Sequence, residues 1–368
     1  MQARCTQSEE RVRSNAKLVK PQVVEEGAEF VNATDPILNA LCDTFKLPLA
    51  KIPSCSGLDA AVRIDERLLA QLTWLTSSHE ADAFALKLAS FEFSNNNCVD
   101  VSKQSYLGLL SAVEAAAVDP GYGGHTGYWD FFETHRIANG NVQLAQRLAK
   151  AVGDGRVHLT APITKIDLSG PGVTVSTANG SGTFDAVILA TPPTVWHKIT
   201  FAGLSVDLAG YQVQTGPAIK HVAALTSRFW DDPPKQAPIG IDNLLGMVWA
   251  PTSTPKPSRG FAMSAFASGS LADQTAIELE AGISALFPRY APKSTAFVQW
   301  QFEDYIKTGY SCPGPSEVCS KLRRLVEEPV DAKLYFAGEH SSPGWFGFME
   351  GALESGVRAA NLILGTSA

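Results

Sequence analysis

The sequence predicts an α/β fold with mixed α+β character, and three observations support this prediction. Between residues 136 and 193, a helical pattern is followed by a hairpin pattern and a continuous apolar run. Strand-like text with proline-rich connections covers residues 217–266, and the chain closes with a strand, a loop and a helix after residue 333. Helices alternating with strands are typical of layered α/β folds.

The composition indicates a folded protein large enough for more than one domain. Of 368 residues, 45% are hydrophobic and 18% are charged, which supplies a core and argues against disorder. The formal net charge of −7 lacks the basic field that attracts nucleic acid or anionic membranes. Residues 1–20 have no apolar core and no long apolar run follows, so we expect no membrane span and a cytoplasmic location.

The six cysteines are dispersed and form no C-x-x-C pair, so the sequence predicts neither a metal site nor a redox dithiol. Free thiols are the expected state. A bridge between Cys312 and Cys319 is the alternative if the protein is exported.

The first helix is predicted to begin after Asp35, which is a typical cap, with Pro36 at the first helical position. Apolar residues between 37 and 45 lie on one face of this helix. Helical patterns continue through residues 68–75 and 106–117, so a mostly helical layer is expected there.

Residues 136–193 are predicted to form one compact α/β unit. A helix from Val142 ends at Gly153, and an extended segment follows at 157–166. A hairpin turns at Asn179-Gly180, and the apolar run 184–190 is typical of a buried strand.

The last strand, Leu334 to Ala337, is followed by Gly338 and Glu339, at the edge where open α/β sheets bind ligands. Gly338 allows close approach, and Glu339 can accept a hydrogen bond from a sugar-like hydroxyl. The alternative interpretation is a turn with a solvated acid.

The final helix begins near Met349 and carries Gly351, Ser355 and Ala359 at four-residue spacing on one face. A flat group can approach this face, and the free N–H groups of the first turn after Gly347 suit a ring that gains negative charge. The alternative is that small residues only allow tight packing.

The run from Tyr335 to Ile363 resembles the carboxyl-terminal signature of the flavin-containing amine oxidases, and weaker similarity extends upstream to about Gly27. Residues 136–148 resemble the family segment R-x-x-G-G-x-x-x-L, with Asn139 in place of one glycine. The resemblance implies an FAD/NAD(P)-binding Rossmann-like domain, lacking its first βαβ unit and interleaved with a substrate domain of mixed sheet and helices. The implied segments are 1–60, 131–200 and 311–368 for the FAD domain, and 61–130 (helical) and 201–310 (mixed sheet) for the substrate domain.

Lys220 is the first catalytic candidate, because residues 216–220 resemble the family strand whose lysine holds a water beside the flavin. Strand alternation places Lys220 with Ala218 and Val222 on an apolar face, which favours a base-like amine. The alternative is a lysine at a strand edge that extends to water.

Residues 300–311 resemble the family segment that supplies a tryptophan next to the flavin and one wall of an aromatic cage, here Trp300 and Tyr310. Phe348 corresponds to the opposite wall, so Tyr310 and Phe348 would orient the amine. Gly309 stands where covalent members carry a cysteine, which implies non-covalent FAD.

The same resemblance implies a set of cofactor contacts at strand ends and in the C-terminal loop. They are Ile163, Ala190, Thr191, Pro192, Trp300, Gly338, Glu339, Gly347 and Met349.

The phosphate-binding motif G-x-G-x-x-G of such enzymes is missing, since residues 1–26 contain no glycine. Truncation relative to a working oxidase is the preferred explanation, and a non-catalytic scaffold remnant is the alternative. In either case we expect FAD affinity to be poor.

The implied reaction is oxidation of an amine to an imine, with O2 reduced to H2O2. The expected partners are a small amine or amino acid and O2. L-amino-acid oxidation, or another FAD-dependent oxidation on the same fold, is the enzymatic alternative.

Overall fold

The computed structural model describes residues 12–51, 61–63, 103–105, 107, 134–229, 239–241, 246–251 and 260–366. The helices are α1 (Pro36–Phe45), α2 (Val142–Val152), α3 (Ala276–Leu286), α4 (Arg323–Glu327) and α5 (Met349–Leu364). The strands are β1 (Ser14–Asn15), β2 (Val24–Glu25), β3 (Leu49–Lys51), β4 (Ala61–Arg63), β5 (His135–Ile137), β6 (Ile163–Asp167), β7 (Val173–Thr177), β8 (Gly180–Phe184), β9 (Val187–Leu189), β10 (Thr200–Ala202), β11 (Thr215–Gly216), β12 (Ala218–Leu225), β13 (Ile239–Ile241), β14 (Gly246–Trp249), β15 (Phe261–Ser268), β16 (Ser294–Gln299), β17 (Tyr310–Ser311) and β18 (Leu334–Phe336).

The largest sheet has six strands in the order β16-β12-β15-β14-β13-β4. Its pairings are antiparallel except for the parallel β13–β4 pair. All eight residues of β12 are buried, as expected for a central strand covered on both faces. The mixed sheet predicted from the sequence is therefore present.

The two faces of this sheet pack against different parts of the chain. One face packs on α3 through a core that includes Ile219, Ala223, Leu279 and Ile283. On the other face, Val222 and its neighbours pack against the N-terminal hairpin formed by β1 and β2. Lys220 lies on this second face, because alternate residues of a strand point to the same side.

A second body combines the four-stranded sheet β10-β6-β7-β8 with the parallel pair β9–β18. One apolar cluster joins them through residues such as Ile166, Trp196, Leu334 and Phe336. The hairpin predicted at Asn179-Gly180 is present between β7 and β8.

Two strand predictions in this body are wrong in extent. The extended segment begins only at Ile163, because residues 157–162 are exposed or half-buried and turn at Thr160, whose φ is 56°. The run 184–190 is divided between β8 and β9, and Ile188 is 40% exposed. Within the described residues β9 pairs with β18 alone, so its other edge has no strand partner there.

Helices α1, α2 and α5 share a further apolar cluster, which includes Leu38, Cys42 and Leu144. The helices predicted at Pro36, Val142 and Met349 are confirmed, including the end of α2 at Gly153. The helical layer predicted around residues 68–75 and 106–117 lies outside the described residues, apart from residue 107.

Asp35 does not cap α1 with its side chain. Its carboxylate accepts instead from the N–H and the side-chain amide of Asn32. The first turn of α1 is satisfied by Glu350, which accepts from the N–H groups of Ile37 at 2.9 Å and Leu38 at 2.8 Å. A distant carboxylate therefore supplies the acceptors that free helix N–H groups require.

The described helices include none that is long and apolar enough to cross a bilayer. The same residues contain no group of His, Cys, Asp and Glu arranged to hold a metal ion. The interleaved segment boundaries given above stay predictions.

Candidate active site

The centre of the candidate site is a buried ion pair between Lys220 and Glu29. The Lys220 Nζ atom lies 2.6 Å from Glu29 Oε2 and donates a second hydrogen bond to the carbonyl of Gly27 at 2.9 Å. Both side chains are buried, at 3% and 1% exposure. The apolar setting expected for Lys220 is therefore interrupted by a carboxylate.

Glu29 is held on its other oxygen by two further groups. Trp249 Nε1 donates to Oε1 at 3.1 Å, and Arg136 Nη2 lies 2.9 Å from the same oxygen. The Arg136 contact is an ion pair whose angle falls short of a hydrogen bond, and Arg136 Nη1 donates to the carbonyl of Pro251. Lys220 also lies over the Trp249 ring, 5.1 Å from its centroid, where a cation is attracted by the π system.

The charge of this cluster is set by competition between burial and pairing. Burial opposes ionisation of Glu29, but Lys220 and then Arg136 hold its pKa below the ordinary value. Glu29 is therefore a carboxylate at neutral pH, facing two cations.

Glu25 is a second buried acid beside this cluster. It accepts hydrogen bonds from Ser14 Oγ at 2.7 Å and from the Asn141 N–H at 2.9 Å. Burial raises the pKa of Glu25 to about 7, although these hydrogen bonds lower it in part, and Glu29 adds a repulsive contribution. The site thus contains one acid that is ionised at neutral pH and one that titrates there.

Trp300 is buried and contacts the same N-terminal segment. Its Nε1 donates to the carbonyl of Glu26 at 3.1 Å, and the Arg13 guanidinium lies 4.8 Å from its ring centroid. Arg13 also pairs with Glu303 at 2.9 Å. The segment from residue 13 to 29 therefore supplies partners to both Lys220 and Trp300.

An aromatic wall adjoins Lys220 along the sheet. Phe266 is opposite Lys220 in the β12–β15 register, so the two side chains project on the same face. The Phe266 ring stacks on Tyr310, with centroids 6.2 Å apart and planes at 19°. Both rings are half-buried, so part of their surface stays open to a ligand.

The loop before α5 meets the other side of Tyr310. Gly347 has φ of 83°, and a Cβ there would lie 3.2 Å from the Tyr310 ring, so glycine permits this approach. Phe348 follows directly and packs edge-on against Trp345 at 6.3 Å. Lys220, Phe266, Tyr310 and the Gly347-Phe348 loop therefore form one continuous surface.

Glu339 is buried and connects this loop to β17. Its carboxylate accepts from the N–H of Gly347 at 2.6 Å and from the N–H of Ser311 at 3.1 Å, and it also accepts from Ser311 Oγ. A solvated acid, the alternative interpretation from the sequence, is wrong, because Glu339 is only 7% exposed. Through these bonds the Glu339 carboxylate orients the Gly347-Phe348 loop.

The carboxyl ends of β9 and β18 meet next to Gly338. Its φ is 118°, its N–H donates to Ser355 Oγ at 2.8 Å, and a Cβ there would lie 2.5 Å from the His340 ring and 3.5 Å from the carbonyl oxygen of Ala190. Thr191 Oγ1, directly after β9, is buried with no hydrogen-bond partner within the described part of the chain. Pro192 is buried and begins the turn that follows.

Two predicted cofactor contacts lie apart from this surface. Ile163 is half-buried at the start of β6 and packs on the core of the second body. Met349 packs into the cluster formed by α1, α2 and α5. Ile163 and Met349 therefore each contribute to the packing of an apolar cluster.

The residues present fit part of a flavin nucleotide. The buried hydroxyl of Thr191, which has no partner among the described residues, is suited to a polar ligand at the strand ends. Across the described ranges, no glycine-rich turn joins a strand to a helix N-terminus, so a pyrophosphate cradle of that kind is not seen there.

Sequence reasoning missed Glu29, Arg136 and Trp249 as members of the site. A signal did exist, because a lysine on an otherwise apolar central strand requires a buried acidic or carbonyl partner. Glu29 is an acidic residue within the otherwise apolar segment Ala28 to Val31, which made it the natural candidate for the partner of Lys220.

Comparison with known proteins identifies the family. The sequence profile of "Flavin containing amine oxidoreductase" matches residues 57–364. A flavin-containing amine oxidase of Oncorhynchus mykiss is 28% identical over 255 residues, covering 63% of this chain and 47% of that protein. Human flavin-containing amine oxidase B is 28% identical over 249 residues, with 63% and 47% covered. The chain thus spans about half the length of the curated relatives it matches.

Solved structures share the fold. Putrescine oxidase bound to putrescine superposes with a TM-score of 0.74 at 20% identity, covering 96% of this chain and 91% of that one. Cyclohexylamine oxidase from Brevibacterium oxydans gives a TM-score of 0.75 at 19% identity, covering 98% and 92%. The α/β fold of this chain is the fold of these oxidases, and the chain belongs to the family of flavin-containing amine oxidoreductases.

Proposed function

We propose that this protein oxidises a small amine to an imine with a non-covalently bound FAD, and that O2 is reduced to H2O2. The observation that carries the proposal is the continuous surface formed by Lys220, the Phe266–Tyr310 stack and the Gly347-Phe348 loop. Family membership supports the same chemistry.

Each residue has a distinct task in this proposal. Tyr310 and Phe348 present half-buried ring surfaces that orient the amine and exclude water from its reacting carbon. Lys220 donates a hydrogen bond to a water or to the nitrogen of the imine product. FAD, when bound, supplies the acceptor for the hydride that leaves the carbon next to nitrogen.

Gly338, Gly347, Thr191 and Trp300 are the residues that would hold the flavin. The Thr191 hydroxyl has no partner among the described residues and can bond a ligand oxygen. The two glycines let the backbone pack closely against the His340 and Tyr310 rings, which shapes the wall of the site. Gly309, in the position of the cysteine of covalent members, supports non-covalent attachment.

A simple amine is favoured over an amino acid as substrate. An amino acid oxidase needs a cation that faces the substrate carboxylate, and Arg136 is the buried arginine closest to Lys220 in the cluster. Arg136 is already engaged by Glu29 and by the carbonyl of Pro251. Putrescine oxidase and cyclohexylamine oxidase, whose names specify amines, share the fold.

The test is peroxide formation from a panel of mono- and diamines and L-amino acids, with purified chain supplemented with excess FAD. We expect amine-dependent peroxide, and we expect Tyr310→Ala to lower kcat/KM by about 10- to 100-fold through loss of substrate orientation. Ile277→Ala, on the exposed face of α3 at 81% exposure, is the control and should retain wild-type kinetics. Absence of peroxide with every amine, while FAD is bound, would contradict the proposal.

A further inference from the structure

Glu29 connects the Lys220 strand to two other parts of the chain. We infer that Glu29 is the positioning residue of the site: it holds Lys220 in a buried ion pair and fixes where the remaining N–H of Lys220 points. This inference rests on the proposed amine oxidation and assigns to it a residue that the sequence analysis did not include.

The Lys220 Nζ atom is held by two acceptors. An ammonium has three N–H groups, and two of them are directed to Glu29 Oε2 at 2.6 Å and to the Gly27 carbonyl at 2.9 Å. Both acceptors belong to residues 27–29, so this short segment orients the amine together with the Trp249 ring. No acceptor for the third N–H is seen among the described residues, which leaves it for a water or a reacting group.

The two oxygens of the Glu29 carboxylate are held by different partners. Oε2 serves Lys220, whereas Oε1 faces Trp249 Nε1 at 3.1 Å and Arg136 Nη2 at 2.9 Å. Glu29 therefore cannot rotate towards another partner without leaving a buried cation or indole N–H unpaired. Arg136 acts on Lys220 through Glu29, whereas Trp249 also contacts Lys220 directly with its ring.

Glu29 also places a negative charge next to Lys220. Glu29 is buried between two cations and stays ionised at neutral pH, and an ionised carboxylate at hydrogen-bond distance favours the charged form of an amine. Lys220 is thereby held as a hydrogen-bond donor to Glu29 and to the carbonyl of Gly27. Glu25, the other acid near the pair, changes the net charge of the cluster as it titrates.

The test is competitive acetylation of the folded, flavin-free chain near pH 8, with Lys220 labelling measured by peptide mass spectrometry. Acetylation requires the neutral amine, so it reports on the ion pair without any turnover. We expect Glu29→Gln to increase Lys220 labelling about tenfold, because the variant removes the carboxylate that holds the buried amine. Glu29→Asp keeps the charge at a longer distance and should show a smaller increase.

Glu350→Gln is the matched control, because Glu350 is a buried carboxylate bonded to backbone N–H groups and not to a lysine. Labelling of the exposed lysines provides an internal reference in every variant. Lys220 labelling equal to wild type in both Glu29→Gln and Glu29→Asp would overturn the inference. If Glu29→Gln does not fold, Glu29→Asp decides: a rise in Lys220 labelling supports the inference and no rise overturns it.

A second readout separates this inference from the proposed function. In flavin-loaded enzyme, Glu29→Gln should move the pH profile of kcat/KM, whereas Glu29→Asp should restore most of the wild-type profile. If no amine is oxidised by wild type but the labelling change is observed, the proposed function fails and the control of Lys220 by Glu29 stands.

Discussion

Glu25 makes the stability of this protein depend on pH near neutrality. Its carboxyl group is 1% exposed, and burial raises its pKa from 4.5 to about 7. The folded chain therefore keeps a proton that the unfolded chain loses above pH 4.5. Stability contributed by the protonated form falls as pH rises through this interval.

We predict that Glu25→Gln flattens the pH dependence of unfolding. The difference between 4.5 and about 7 corresponds to about 3 kcal/mol, which wild type loses across this window and the variant keeps. Urea unfolding at several pH values between about 5 and 8 measures the slope. Burial also raises the pKa of Asp35 to about 6, so the titration of Asp35 should keep part of the pH dependence of unfolding in the variant.

Glu278→Gln is the control for this measurement. Glu278 is exposed, and the hydrogen bonds of its capping box with Thr275 hold its pKa below the ordinary value, so it is ionised throughout the window. Its removal should leave the slope unchanged. A slope of wild-type size in Glu25→Gln would show that Glu25 is not the titrating group.

Helix α5 is positioned by close approach at one glycine. A Cβ at Gly351 would lie 2.1 Å from the carbonyl oxygen of Trp345, a backbone atom that cannot rotate away. The contact fixes the helix against the loop that carries Phe348. The small residue at this position is therefore required by packing as well as suited to a ligand.

We predict that Gly351→Ala destabilises the protein by about 1–3 kcal/mol or more, because the methyl group overpacks a rigid contact. Gly356→Ala in the same helix meets nothing within 4 Å and should be neutral or stabilising by about 0.5–1 kcal/mol, since alanine favours helix. Thermal or urea unfolding of both variants checks this. Equal stability of the two variants would contradict the packing described for Gly351.

The sequence was most informative where local chemistry decides the element. Pro36, Gly153 and the periodic residues of α5 mark helix limits that the structure confirms. It was least informative at residues 157–162, where apolar residues lie in an exposed turn that lacks a strand partner.

The candidate site was only half accessible to sequence reasoning. Lys220, Tyr310 and Gly347 were found through a resemblance, and their proximity depends on strand register. Glu29 and Trp249 are 220 residues apart, and no local periodicity reports such a pair. Only a search for the partner of a buried lysine would have suggested Glu29.

At the scale of the whole molecule, the amine oxidase fold occurs here together with a segment, residues 1–26, that contains no glycine. We predict that residues 1–368, purified by themselves, carry well under one FAD per molecule, because a pyrophosphate needs clustered backbone N–H groups to bind tightly. Visible absorbance relative to protein concentration, with and without added FAD, measures this. A stoichiometric yellow preparation would contradict the prediction and would indicate a different phosphate-binding arrangement.

The ion pair at Glu29 also has a consequence for the order of assembly. Its contacts reach Lys220 across 191 residues and Trp249 across 220 residues, so each closes a very long loop. Contacts of such sequence separation form slowly compared with local turns and helices. During refolding, quenching or shift of Trp249 fluorescence should therefore follow the recovery of helical circular dichroism, so that the chain acquires its chemistry only after most of its backbone is in place.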